Sequence, residues 1–174
     1  MFSLSSIQRS ARFFLYSSVV WSAMVSTSSA LDTPTGPVIL TISGDIGETN
    51  QDDKAAFDQA MLDELGTHTT VTSTPWHDET ITFSGPLARS VLEAVDSQGD
   101  NVIAIALNDY EAEIPVADFY TYDVILATHA NGELMSVREH GPVFVIYPFD
   151  SDAGLHQEAI YSRSAWQVNR LLVP

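Results

Sequence analysis

The side chains best suited to metal binding or proton transfer near neutral pH are five histidines, His68, His77, His129, His140 and His156. None pairs with another at i, i+2 or i, i+4, the spacings that set two imidazoles on one metal from a single element. They read as scattered loop and surface residues, with convergence left to the fold. Asp109, Glu111 and Glu113 alternate, and so share one face of a strand. Paired carboxylates do acid–base work when their environments split their pKa values; on a half-exposed strand they form the solvated face, the reading adopted here. Asp150-Ser151-Asp152-Ala153-Gly154 begins like a calcium loop. The pattern then fails, with the glycine one place early and Tyr161 where a ligating Glu belongs, so the segment reads as an Asp/Gly turn. The chain has no G-x-S-x-G, P-loop, G-x-G-x-x-G or H-E-x-x-H, and no catalytic or metal-ligating residue is assigned.

Composition narrows the field. The 174 residues carry 23 Asp+Glu against 7 Lys+Arg, a formal charge of -16, and no cysteine. Such an acidic chain lacks the basic footprint that a phosphate backbone requires, which excludes nucleic acid as the expected partner. The missing cysteine excludes disulfides, thiol catalysis and thiolate-held metal. With 45% hydrophobic and 17% charged residues, the chain is expected to fold as one domain.

Residues 1–30 read as an export signal. They hold no acid; Arg9 and Arg12 form a positive start, Phe13–Val25 is apolar, and Ser28-Ser29-Ala30 offers small residues for cleavage. The apolar run is shorter than the roughly 20 residues that span a bilayer, so no membrane span is expected after signal removal. The alternative is a retained anchor. The mature domain is then 31–174, with 5 Lys+Arg against 23 acids. Export without cysteine suits a bacterial periplasm.

The elements that must position any site follow from patterning. Val38–Ser43 is β-branched and bounded by Pro37 and Gly44, a strand. Asn50 is placed to cap a helix over Asp52–Leu65, with Phe57, Met61, Leu62 and Leu65 at helical spacing and Gly66 as its stop. Thr67–Ser73 and Ile81–Phe83 read as strands around a polar Trp76–Thr80 loop, and Gly85-Pro86 opens a second helix with Leu87, Val91, Leu92 and Val95 along one face. Strands follow over Asn101–Leu107, Tyr110–Ile114, Val124–Ala130, Glu133–Val137, Val143–Tyr147 and Leu171–Val173. Asn131-Gly132 is a two-residue hairpin turn. Six or more strands and about two main helices, not in strict βαβ order, define a mixed, strand-rich α+β single domain.

The order of several short segments is distinctive. It runs I-S-G-D-I (Ile42–Ile46), V-T-S-T-P-W (Val71–Trp76), T-F-S-G-P-L-A-R-S-V-L-E-A-V (Thr82–Val95) and A-L-N-D-Y-E-A-E-I-P (Ala106–Pro115). D-V-I-L-A (Asp123–Ala127), N-G-E-L-M (Asn131–Met135), G-P-V-F-V-I-Y-P (Gly141–Pro148) and W-Q-V-N-R-L-L-V (Trp166–Val173) complete it. The series resembles the oxidoreductase molybdopterin-binding domain of the sulfite oxidase family. That resemblance implies strands around a pocket for a pterin-bound molybdenum, held by a cysteine thiolate in the stretch that here reads Thr74-Pro75-Trp76-His77. It also implies an arginine beside the cofactor, where Gly141-Pro142-Val143-Phe144 puts a phenylalanine. The five basic residues of 31–174 sit among 23 acids, a field that disfavours a phosphate-bearing cofactor and an anionic substrate such as sulfite.

The expectation is therefore a cofactor-free, secreted member of the fold. Its old pocket is filled by side chains such as Trp76 and Phe144, or binds a small ligand. Similar cysteine-less chains point to a sensor or a partner of a membrane signalling protein. Candidate pocket residues are Trp76, His77, Tyr110, Phe144 and Tyr147, aromatic faces suited to a mostly apolar site, with core packing as their other reading. Two alternatives stand beside this one: a molybdopterin-dependent oxidoreductase with His77 or another group as ligand, and a structural interaction module acting through its acidic surface.

Overall fold

Alternating burial along Leu40–Gly44 (β1) places Leu40 and Ile42 in the core, and four more strands complete its sheet. In the computed structural model, which describes residues 31–174, β1 pairs antiparallel with Lys54–Phe57 (β2) and parallel with the C-terminal strand. The chain continues through α1 (Gln59–Glu64), β3 (His68–Thr72), β4 (Ile81–Gly85), α2 (Ala88–Ala94), β5 (Asn101–Ala106), β6 (Glu111–Pro115) and α3 (Val116–Thr121). Then come β7 (Ile125–Ala127), β8 (His129–Ala130), β9 (Glu133–Leu134), β10 (Phe144–Ile146), α4 (Glu158–Arg163) and β11 (Val168–Val173). A five-stranded sheet runs β2-β1-β11-β5-β6; a four-stranded sheet runs β3-β4-β8-β9; β7 and β10 form a pair between them in sequence. The export signal expected over residues 1–30 lies outside the described residues. Among the described residues, no helix is long and apolar enough to cross a membrane.

The α+β class holds, with four short helices in place of about two. The largest correction concerns Asp52–Leu65, expected as one helix capped by Asn50. Residues Lys54–Phe57 instead form β2, because pairing with β1 buries Ala55, Ala56 and Phe57 completely. Tertiary pairing overrides the local helical spacing. Asn50 bonds across this strand: its Oδ1 accepts from Ala56 N–H and its Nδ2 donates to Ala56 O. The helix is α1 alone, capped by Asp58, whose carboxylate accepts from Met61, Thr35 and Gly36 N–H. The second helix starts at Ala88, two residues beyond Pro86. Helices α3 and α4 are only six residues long, too short for a helical period to show, and each buries one large side chain, Phe119 and Ile160. The hairpin at Asn131-Gly132 is as expected, with φ of 51° and 85° and Ala130 opposite Glu133. The closing strand is longer than Leu171–Val173, and it pairs with both β1 and β5.

Two apolar cores result. The larger lies under the five-stranded sheet; a smaller one gathers Phe83, Ile125, Ala127, Met135, Phe144 and Ile146. Trp76 packs against both. Glu111 and Glu113 are exposed on the edge strand β6, the solvated face expected of them.

Candidate functional site

The segment after β3 folds as a turn because Pro75 sits at its second position with φ already set. His77 N–H donates to Thr74 O at 3.4 Å, closing Thr74–His77. Thr74 Oγ1 accepts Trp76 N–H at 3.3 Å and lies 2.7 Å from His77 Nδ1. The hydroxyl and Nδ1 share one proton between them, the donor being set by the ring's tautomer. The preceding Ser73 is tied to the segment after β10: its N–H and hydroxyl both bond the Asp150 carboxylate. These bonds hold Asp150 below its usual range, the Ser73 hydroxyl contributing most. The turn is thus closed on itself and anchored at its leading end.

Its two rings point into an aromatic cluster. Trp76 lies 5.6 Å from Phe144, 5.3 Å from Trp166, 6.1 Å from Tyr161 and 6.3 Å from Phe149, centroid to centroid. His77 stands edge-on to His140 at 5.1 Å and to Phe83 at 5.7 Å. Burial pushes both histidines below the ordinary imidazole value, and the charge on His140 lowers His77 further. His140 and Gln167 both adopt left-handed backbone, with φ of 75° and 55°. Gln167 N–H donates to His140 O at 2.8 Å, and its Nε2 donates to Val137 O at 2.7 Å. Such conformations cost about 1 kcal/mol or more outside glycine, and they persist where surrounding contacts over-determine them. Here they set His140 and Trp166 against the same cluster.

Beside the cluster opens a cleft of about 340 Å³, at the small end of ligand pockets. Its walls are Trp76, Trp166, Tyr161, Tyr110 and Asn108, with Glu158 as its one charged residue. Ser162 and Ser164 add small polar groups, and Tyr110 Oη donates to Ser162 O. Among the described residues, no Lys or Arg lines it. The neighbouring cations are engaged elsewhere: Arg163 with Asp118 at 2.7 Å and Arg170 with Asp109 at 2.6 Å.

Of the five candidates, Trp76 and Tyr110 line this cleft. Tyr110 lies outside β6 and half in solvent, whereas Ala112 and Ile114 within β6 are buried. His77 lies on the far side of the cluster, and Phe144 is fully buried beneath it. Tyr147 is apart from the cleft: it is fully buried, and its hydroxyl donates to Asp118 at 2.7 Å. Burial and that carboxylate push its pKa well above the usual phenol value. Trp166, Tyr161, Glu158 and His140 escaped the sequence reading. Only the clustering of aromatics near the C-terminus hinted at them. Among the described residues, no group of three or more His, Cys, Asp or Glu could hold a metal.

The chain superposes on the crystal structure of the sulfane dehydrogenase SoxCD from Paracoccus pantotrophus with a TM-score of 0.58. Identity is 18%, and the match covers 83% of this chain but only 40% of that one, so the likeness is one of fold. The family profile of the oxidoreductase molybdopterin binding domain matches residues 51–150, and the chain belongs to that family. No curated protein matches it.

Proposed function

We propose that the chain is a non-catalytic member of this family that holds a small ligand in the Trp76–Trp166 cleft, as an exported, periplasmic domain. Its acidic surface then serves a membrane signalling partner. The observation that carries the proposal is the chemistry of the cleft: aromatic walls, one carboxylate and no cation. The residues present do not fit a pterin-bound molybdenum. Its phosphate needs Arg, Lys or a helix N-terminus, and its metal needs a thiolate that no residue of the chain supplies. His77 is a poor substitute, since its one imidazole neighbour is His140 and no carboxylate joins them.

The test is the molybdenum and pterin content of the protein purified from an exporting host, by elemental mass spectrometry and fluorescence of the acid-released, oxidised pterin. A folded sample with neither supports the proposal. Stoichiometric amounts of both overturn it.

A further inference from the structure

We infer that the cleft selects an organic cation, an alkylated or quaternary ammonium group. This rests on the ligand-binding reading above and names the ligand's chemistry. Trp166 meets Trp76 at 69° and Tyr161 meets it at 76°, so both rings stand steeply to Trp76, and all three line the cleft. An aromatic lining of this kind presents π-electron density, which attracts a cation and offers an anion nothing. Trp166 is 37% exposed, so part of its ring is open to a ligand. Glu158, on the first turn of α4, supplies the only formal charge in the lining. Arg163 and Arg170 are neutralised by Asp118 and Asp109 before they can compete for the aromatic faces. Asn108 can donate its side-chain amide to a hydroxyl or carbonyl carried by the same ligand, while the Ser162 and Ser164 hydroxyls already donate to Ala159 O and Ile160 O. The chain's charge of -16 adds a long-range field of the same sign preference.

An anion, a neutral sugar and a flat neutral aromatic suit this cleft less well. The first meets Glu158 with no cation to receive it, and the second finds few hydrogen-bond partners on the ring walls. The third gains stacking but makes no use of the carboxylate. A compact ammonium group matches both the walls and the charge.

The experiment titrates the purified full-length protein, as its exporting host processes it, with tetramethylammonium and choline. Tryptophan fluorescence and calorimetry report binding. The control is 3,3-dimethylbutanol, the neutral isostere of choline, with sulfate as the anionic probe. The expected result is binding of both cations, with the isostere weaker by roughly tenfold or more and sulfate silent. Trp166→Ala should weaken choline by about tenfold, and Glu158→Gln by several-fold, the latter with an unchanged melting temperature because Glu158 is exposed. Should Trp166→Ala fail to fold, Glu158→Gln alone decides. Equal binding of choline and its isostere, no binding of either cation, or an indifferent Glu158→Gln each overturns the inference. Capture of a neutral or anionic ligand would do the same while leaving the ligand-binding reading intact; molybdenum and pterin in the sample would remove that reading itself.

Discussion

Two aromatic regions use the same residue types to opposite ends. Around Tyr147, the ring is fully buried and its hydroxyl is spent on Asp118, which Arg163 also bonds, so every polar group has a partner inside the protein. Around Trp76 and Trp166, the rings are partly exposed, they meet edge to face, and the space beside them is open. Residue type does not distinguish a core aromatic from a binding aromatic. What separates them is whether the polar tip and the ring faces are already satisfied within the fold. The Tyr147 region is closed, and the Trp166 region opens on a solvent-filled cleft.

The sharpest way to break this contrast is truncation at the floor of the cluster and at its rim. Phe144→Ala should lower unfolding free energy by about 3–5 kcal/mol, the usual result of emptying a fully buried phenylalanine site, read from urea denaturation. Trp166→Ala removes a half-open ring that touches Trp76, His140 and Phe144, and should lower it by only about 1 kcal/mol. Comparable losses from the two variants would make the cleft an extension of the core. Next comes Tyr147→Phe, which deletes one bond to a carboxylate still held by Arg163. A loss of about 1–2 kcal/mol is expected. No loss would show that Asp118 is satisfied by Arg163 alone.

How much of this was legible beforehand differs between the two regions. The strands over Thr67–Ser73 and Asn101–Leu107 and the Asn131-Gly132 hairpin declare themselves, because β-branched alternation and a turn needing positive φ are local properties. So did the fold, through the order of its segments, which the family match over residues 51–150 bears out. Lys54–Phe57 did not, since its strand state comes from antiparallel pairing with Leu40–Ser43, which the helical spacing of Phe57, Met61 and Leu62 conceals. Half of the cleft was equally hidden. Trp76 stood out as an aromatic in a polar loop, but Glu158 and Tyr161 belong to a six-residue helix with little periodic signal. Their approach to Trp76 depends on contacts between segments far apart in sequence.

The histidine pair offers a pH test of the same contrast. His77 and His140 are held below the ordinary imidazole value of 6.5, chiefly by burial, so the folded cluster favours neutral rings. As pH falls below that value the unfolded chain takes up protons that the folded cluster refuses, and stability drops until the lowered folded values are reached. Melting temperature should therefore decline from about pH 7 to about pH 5, and the double variant His77→Phe, His140→Phe should decline less over that window. Identical slopes would place the titrating groups outside the cluster. Acid loss from Asp58 and Asp150, whose carboxylates are held below their usual range by hydrogen bonds, belongs beneath pH 4 and does not overlap.

The smallest effect is the most discriminating for the rim. Tyr110→Phe removes only the exposed hydroxyl that donates to Ser162 O at 3.2 Å, while the ring stays on the cleft wall. Exposed substitutions of this kind stay within about 0.5 kcal/mol, so the melting temperature should be unchanged. If Tyr110 contributes its π face, choline affinity also stays unchanged in Tyr110→Phe and falls in Tyr110→Ala, measured by the same fluorescence titration. If instead the hydroxyl is the contact, the two variants lose affinity alike, and the cleft recognises its ligand by hydrogen bonding on that wall. The pair of variants thus separates a ring used as a surface from a ring used as a handle. That is the same distinction that sets Trp166 apart from Tyr147.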